Sequence, residues 1–178
     1  MNDEFIPWDQ YALLAYIAKF GDKNKLGKTA FQKLVFLFSQ MSRSNFGYSH
    51  TLYTYGPYSA DLASDLEFLA KLNVINISYD SSVNFHQIKS GPLADSVLEK
   101  SSTLGTVKEN LDRFLGEFGN RTARQLELLA TLVYLSRNSE EKRNDEQLSK
   151  ALMEIKPKYK EDVEVKPALA ELQKMALI

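Results

Sequence analysis

The run Tyr55-Gly56-Pro57-Tyr58-Ser59, near the middle of residues 28–77, decides how this chain folds. It joins a segment that alternates like a strand (residues 50–55) directly to an amphipathic helix. Gly56-Pro57 breaks the extended run, because proline fixes its own φ and restricts the residue before it. Ser59 then has the right chemistry to cap a helix that ends near Leu72, with Leu62, Leu66, Leu69 and Leu72 as its core stripe. Downstream, Ile75, Ile77 and Tyr79 alternate, Asp80-Ser81-Ser82 forms a tip, and Val83 and Phe85 resume, which reads as a hairpin. Upstream, Pro7 opens a helix over residues 7–20 and Gly21 closes it. A second helix spans residues 29–41, with Thr29 and Gln32 in the pattern of a capping box. Phe31, Leu34, Val35, Phe36, Leu37, Phe38 and Met41 cover most of its circumference, so it belongs at the centre of the core. Helix, helix, strand, sharp turn, helix and hairpin, in that order, read as a winged-helix variant.

Beyond Ser90 the pattern is helical. Thr106 and Glu109 form a second capping-box pattern ahead of Leu111, Phe114, Leu115 and Phe118. Thr122 and Gln125 form a third, ahead of an apolar run from Leu126 to Leu135. Shorter helices follow over residues 145–155 and from about residue 162 or 166 to the end, where Pro167 fits only an opening turn. The segment Leu69-Ala70-Lys71-Leu72-Asn73-Val74-Ile75 is echoed by Leu172-Gln173-Lys174-Met175-Ala176-Leu177-Ile178, as if a second three-helix unit lacked its wing. The expected architecture is therefore α+β and mainly helical. A winged-helix-like unit with a β-hairpin wing (residues 1–89) is packed against a helical lobe (residues 90–178).

Composition narrows the function classes. Among 178 residues, 22 are Lys or Arg and 23 are Asp or Glu, and neither half has the basic excess of a polyanion binder. There is no cysteine, which excludes thiolate metal sites, disulfides and a cysteine nucleophile. Only His50 and His86 offer imidazole, and the glycines are too scattered to cradle a phosphate. No metal, cofactor or catalytic constellation is expected, and the chain reads as a non-enzyme. The acidic start Met1-Asn2-Asp3-Glu4 is unlike a signal peptide, and no apolar run reaches spanning length, so a cytoplasmic protein without a membrane partner is the expectation.

Two stretches carry a family resemblance: Lys28-Thr29-Ala30-Phe31-Gln32-Lys33-Leu34-Val35-Phe36-Leu37, and Tyr53-Thr54-Tyr55-Gly56-Pro57-Tyr58-Ser59 with Asp61-Leu62 and Asp65-Leu66 following. They resemble the YwgA-like proteins of unknown function and, more distantly, the Panacea antitoxin domain. Glu127-Leu128-Leu129-Ala130-Thr131-Leu132 and the ending over residues 169–178 are similar to the YwgA-like C-terminal part. Phe31 stands where that family usually has leucine. The resemblance implies a winged-helix-like fold without an established activity. Through the Panacea link, it implies neutralisation of a toxin by direct protein contact.

The residues themselves allow two readings. The helix in the recognition-helix position presents Asp61, Ser64, Asp65, Glu67 and Lys71, a face with net negative charge, where DNA contact needs cations. Sixteen residues (42–57) separate it from the preceding helix, against about three or four in a helix-turn-helix. Lys19, Lys23, Lys25, Lys28 and Lys33 are the alternative phosphate-contacting group, with Lys23, Lys25 and Lys28 central to it; a regulator using them would act as a dimer. Tyr48, Tyr53, Tyr55 and Tyr58 gather around the Gly-Pro turn, and tyrosine is enriched where proteins meet. The preferred reading is recognition of another protein, such as a toxin, through Tyr53, Tyr55, Gly56, Pro57, Tyr58, Asp61 and Asp65. Gln32 and Lys33 are polar on a helix that is otherwise apolar. One of them, Gln32 or Lys33, is expected to hydrogen-bond backbone groups of residues 55–59 and hold that turn, unless Gln32 only closes the Thr29 capping box.

Overall fold

The computed structural model describes residues 6–44 and 46–178. The order is α1 (Trp8–Phe20), α2 (Lys28–Ser42), β1 (Thr51–Tyr53), β2 (Gly56–Tyr58), α3 (Ala60–Lys71), β3 (Ile75–Asp80) and β4 (Phe85–Ser90). There follow α4 (Ala94–Leu98), α5 (Leu104–Phe118), α6 (Ala123–Arg137), α7 (Asp145–Ile155), a π-helical turn (Glu161–Val165) and α8 (Lys166–Lys174). The architecture is α+β and mainly helical, with β1–β2 and β3–β4 as separate antiparallel hairpins.

The core is arranged around α2 and α6. Residues 30–38 of α2 are all buried because that helix meets α6, α5 and β2 on different sides. Residues 126–133 of α6 are buried in the same way, between α2, α7, α8 and β2. Phe38, Phe114 and Phe118 form an aromatic chain with centroid separations of 5.3 and 4.8 Å. One hydrophobic cluster runs from Ala12 to Leu177, so residues 1–89 and 90–178 contribute to a shared interior.

Local chemistry explains most element ends. Ser59 caps α3, accepting from the Leu62 N–H. Thr122 and Gln125 form a reciprocal capping box at α6, and Asn144 with Gln147 forms another at α7 that the sequence reading did not pick out. Pro167 stands in the first turn of α8, directly after the π-helical turn. The echoed segments share a helix stop. Asn73 and Ala176 both adopt left-handed φ (57° and 55°). The next residues, Val74 and Leu177, donate back to Leu69 and Leu172, the bond of a Schellman cap, with apolar side chains buried at both ends.

Several expectations need correction. Gly27, not Thr29, precedes α2, and no side-chain cap forms there, because the Gln32 side chain is engaged elsewhere. Thr106 and Glu109 do not cap α5, which begins at Leu104. Its first N–H, that of Leu104, is met by the hydroxyl of Ser101, which in turn donates to Asp9 of α1. Leu72 is exposed at the end of α3 rather than in the core stripe. Val83 belongs to the turn, and β4 starts at Phe85.

The decisive correction concerns the Gly-Pro turn. The extended run stops at Tyr53, the chain reverses at Thr54-Tyr55, and Gly56-Pro57-Tyr58 forms the returning strand. Gly56 takes φ +86°, which a glycine adopts without strain. Pro57 is tolerated because β2 has no third strand to bond on its far side. The turn expected at Gly56-Pro57 is therefore a hairpin whose second arm they build.

Candidate protein-recognition surface

The β1–β2 hairpin is held from beneath by side chains of three elements. From α2, Gln32 makes a two-way bond to Ser59. Its Nε2 donates to the Ser59 carbonyl at 2.9 Å and its Oε1 accepts from the Ser59 N–H at 3.0 Å. One residue along, the Lys33 Nζ donates to the Pro57 carbonyl at 2.7 Å. Both side chains are almost wholly enclosed, so leaving those backbone groups unpaired would cost on the order of 1–3 kcal/mol each. The holding role expected of one of the two from their polarity on an apolar helix falls to both. Thr29 lines the pocket above them instead of capping.

From α6 comes Glu127, buried in the middle of an apolar run. Its Oε1 accepts from Lys156 at 2.8 Å and its Oε2 from Lys158 at 2.8 Å. Burial would raise this carboxyl, but the two ammonium groups outweigh it and hold Glu127 below the usual carboxylate range. Lys156, just beyond α7, also donates to the Thr54 carbonyl in the hairpin turn. Thr131 of α6 packs so closely under Gly56 that an added Cβ there would lie 2.9 Å from its Oγ1 and 3.3 Å from Lys33 Cε. Sequence reasoning gave Glu127, Thr131, Lys156 and Lys158 no part in this site. A charged residue at position 127, inside an otherwise apolar stripe, is the signal that would have found them.

Above this support, three tyrosines face outward. Tyr53 is 67% exposed, Tyr55 59% and Tyr58 37%. The Tyr53 and Tyr58 rings lie 5.8 Å apart, diagonal to each other across the two strands. Tyr55 is in the turn rather than on the Tyr53 strand face, with the Lys158 Nζ 6.0 Å from its ring centre. Tyr48 does not belong to this surface: it is buried and donates to Asp65 at 2.8 Å, and burial pushes its phenol well above the usual tyrosine range. Gly56 and Pro57 are buried backbone, while Asp61 is exposed on α3. Between the hairpin, α2 and α3 lies a pocket of about 400 Å³, mostly apolar, lined by Tyr53, Tyr58, Leu66 and Lys33 among others.

The lysines anticipated as phosphate contacts are dispersed. Lys33 is buried, Lys19 pairs with Asp95 at 2.6 Å, and Lys28 pairs with Glu67 of α3 at 2.5 Å. Lys25 lies over the Phe85 ring at 4.8 Å. Lys23 remains exposed at the α1–α2 connection. The acidic α3 face is correspondingly trimmed, with Glu67 neutralised by Lys28 and Asp65 accepting from Tyr48. The β3–β4 tip carries no cation, and Asp80 accepts there from the N–H and hydroxyl of Ser82.

His50 packs edge-on against Phe36, with ring centres 5.2 Å apart, and its buried Nε2 has no hydrogen-bond partner. Burial pushes this imidazole down to about 4, against a backbone bond with Tyr48 and with some help from Lys33. No group of three or more metal-ligating side chains gathers among the described residues. None of the described helices is long and apolar enough to cross a membrane. Comparison with known proteins finds no family model that matches the chain and no curated protein that matches it.

Proposed function

We propose that this chain is a non-enzymatic protein–protein interaction module, antitoxin-like or regulatory, working in the cytoplasm and docking a partner on the tyrosine hairpin. One observation carries the reading: three outward tyrosines ride on a short hairpin held at its turn, second strand and exit by the buried side chains of Lys156, Lys33 and Gln32, with Glu127 bonded behind Lys156. A three-residue strand pair has little stability of its own. Burying polar groups to hold it is expensive, and the core gains nothing from rings that point to solvent. Rigid aromatic anchors beside an apolar pocket are what an interface requires, because little side-chain freedom is lost on docking. The resemblance of residues 28–77 to YwgA-like and Panacea proteins agrees with this reading.

The second reading is a winged-helix DNA-binding regulator. It is favoured by the order of α3 followed directly by the β3–β4 hairpin. It is opposed by the pairing of Lys19 and Lys28 and by the acidic residues of α3. Affinity capture with the wild-type chain and with Tyr55→Ala and Tyr58→Ala separates the two. We expect one dominant protein partner, lost with either substitution at unchanged melting temperature. Capture indifferent to both substitutions overturns the hairpin as the docking surface. Tight, steeply salt-dependent binding of a random-sequence duplex would favour the DNA regulator.

A further inference from the structure

The charges beneath the hairpin do not balance. Lys33 and Lys156 are both buried, Lys158 stands at the edge, and Glu127 is the carboxylate among them. Both oxygens of Glu127 are taken, one by Lys156 and one by Lys158. Lys33 is 2% exposed and donates to a neutral carbonyl, that of Pro57, while Glu127 acts on it as a nearby charge. An ammonium has three N–H donors, and a buried cation that must share one carboxylate with two other lysines is a costly arrangement in a protein interior. Lys33 also lines the 400 Å³ pocket, together with Tyr53, Tyr58, Ala63 and Leu66. The pocket's own acid, Glu67, is already neutralised by Lys28 at 2.5 Å. One chamber thus combines an apolar lining with a buried cation whose charge is only partly compensated.

We infer that this pocket receives the C-terminal residue of the partner polypeptide, its apolar side chain against Tyr53 and Tyr58 and its free carboxylate toward Lys33. A chain's last residue carries an apolar group and a carboxylate on the same Cα, which matches both features within one residue's volume. The carboxylate supplies Lys33 with charge beyond the share that Glu127 gives it, and the hairpin tyrosines close over the apolar side chain. This assignment rests on the hairpin being a protein-docking surface and adds the chemistry of what docks.

The test uses the full chain and three synthetic probes. They are acetyl-Gly-Ser-Gly-Phe with a free carboxylate, the same peptide amidated, and acetyl-Gly-Asp-Phe-Gly-amide, whose acid is internal. Binding is followed by NMR shifts, including the Lys33 side-chain Cε resonance. We expect the free acid to bind roughly tenfold tighter than its amide and to move the Lys33 resonance, with the preference lost in Lys33→Met. Equal binding of acid and amide, preference for the internal acid, or a preference that survives in Lys33→Met overturns the inference. So does the absence of binding by all three. Should Lys33→Met fail to fold, the Lys33 resonance of the wild-type chain decides: unmoved by the bound free acid, it overturns the assignment. Each of these failures leaves the docking surface itself to the tyrosine substitutions above.

Discussion

At the scale of single residues, Lys33 is the most perturbed cation of the hairpin support. Burial pushes its ammonium down to about 8; Glu127 opposes that shift and Lys156 adds to it. Between that value and the ordinary lysine value of 10.5, the unfolded chain holds a proton that the folded chain has released. Stability therefore rises with pH across this window, and the gain is lost as pH falls back toward 8. The full effect is about 3 kcal/mol at most, with roughly half expressed by the middle of the window. Unfolding free energies measured from pH 8 to about 9.5, below the tyrosine range, should climb more steeply for wild type than for Lys33→Met. Parallel curves would mean that Lys33 is not held as a destabilised cation. Its polarity on a helix buried from residue 30 to 38 was legible in the sequence, as was that of Gln32. Their acceptors, the carbonyls of Pro57 and Ser59, were legible as a neighbourhood but not as individual atoms.

At the scale of elements, the β1–β2 hairpin depends on Gly56. A side chain at φ +86° is strained, and its Cβ would press on Thr131 and on the Lys33 stem. Gly56→Ala should lower the unfolding free energy by roughly 2 kcal/mol or more in urea titration, with faster hydrogen exchange at Thr51 and Tyr53. A loss below about 0.5 kcal/mol would show that the hairpin does not need this geometry. The sequence placed a turn here but on the wrong residues. Glycine and proline together usually mark a turn's middle. In this chain, tertiary support lets them form the returning strand. The capping patterns divide in the same way. Thr122 with Gln125 is a true box because nothing else competes for Gln125, whereas Gln32 is drawn to Ser59 and the start of α5 is capped through Ser101.

At the scale of the whole molecule, Glu127 joins three distant parts of the chain. Lys156 reaches it across 29 positions and the Thr54 carbonyl across 102, so the exit of α7, the core helix α6 and the hairpin turn meet at one ammonium group. Glu127→Gln leaves two ammonium groups without their counter-charge and should cost about 3–5 kcal/mol. Adding Lys156→Met to that variant should restore part of the loss, because it removes one orphaned cation. A double-mutant cycle measures the coupling. Additive effects in that cycle would show that the pair does not act as a unit. The shared cluster from Ala12 to Leu177 means that such a change is felt in both halves of the chain.

Periodicity and cap chemistry in the sequence alone determined the mainly helical α+β order, the central place of the second helix and the hairpin after α3. These follow from forces that act over a few residues: side-chain spacing, backbone restriction and local hydrogen bonds. Only the tertiary structure decided that Tyr48 is interior while Tyr53, Tyr55 and Tyr58 face out, that the lysine group is dispersed into pairs, and that one carboxylate serves two lysines beneath a hairpin. Those outcomes depend on which groups compete for the same buried charge or backbone carbonyl once distant segments are packed together. No local pattern of residues records that competition.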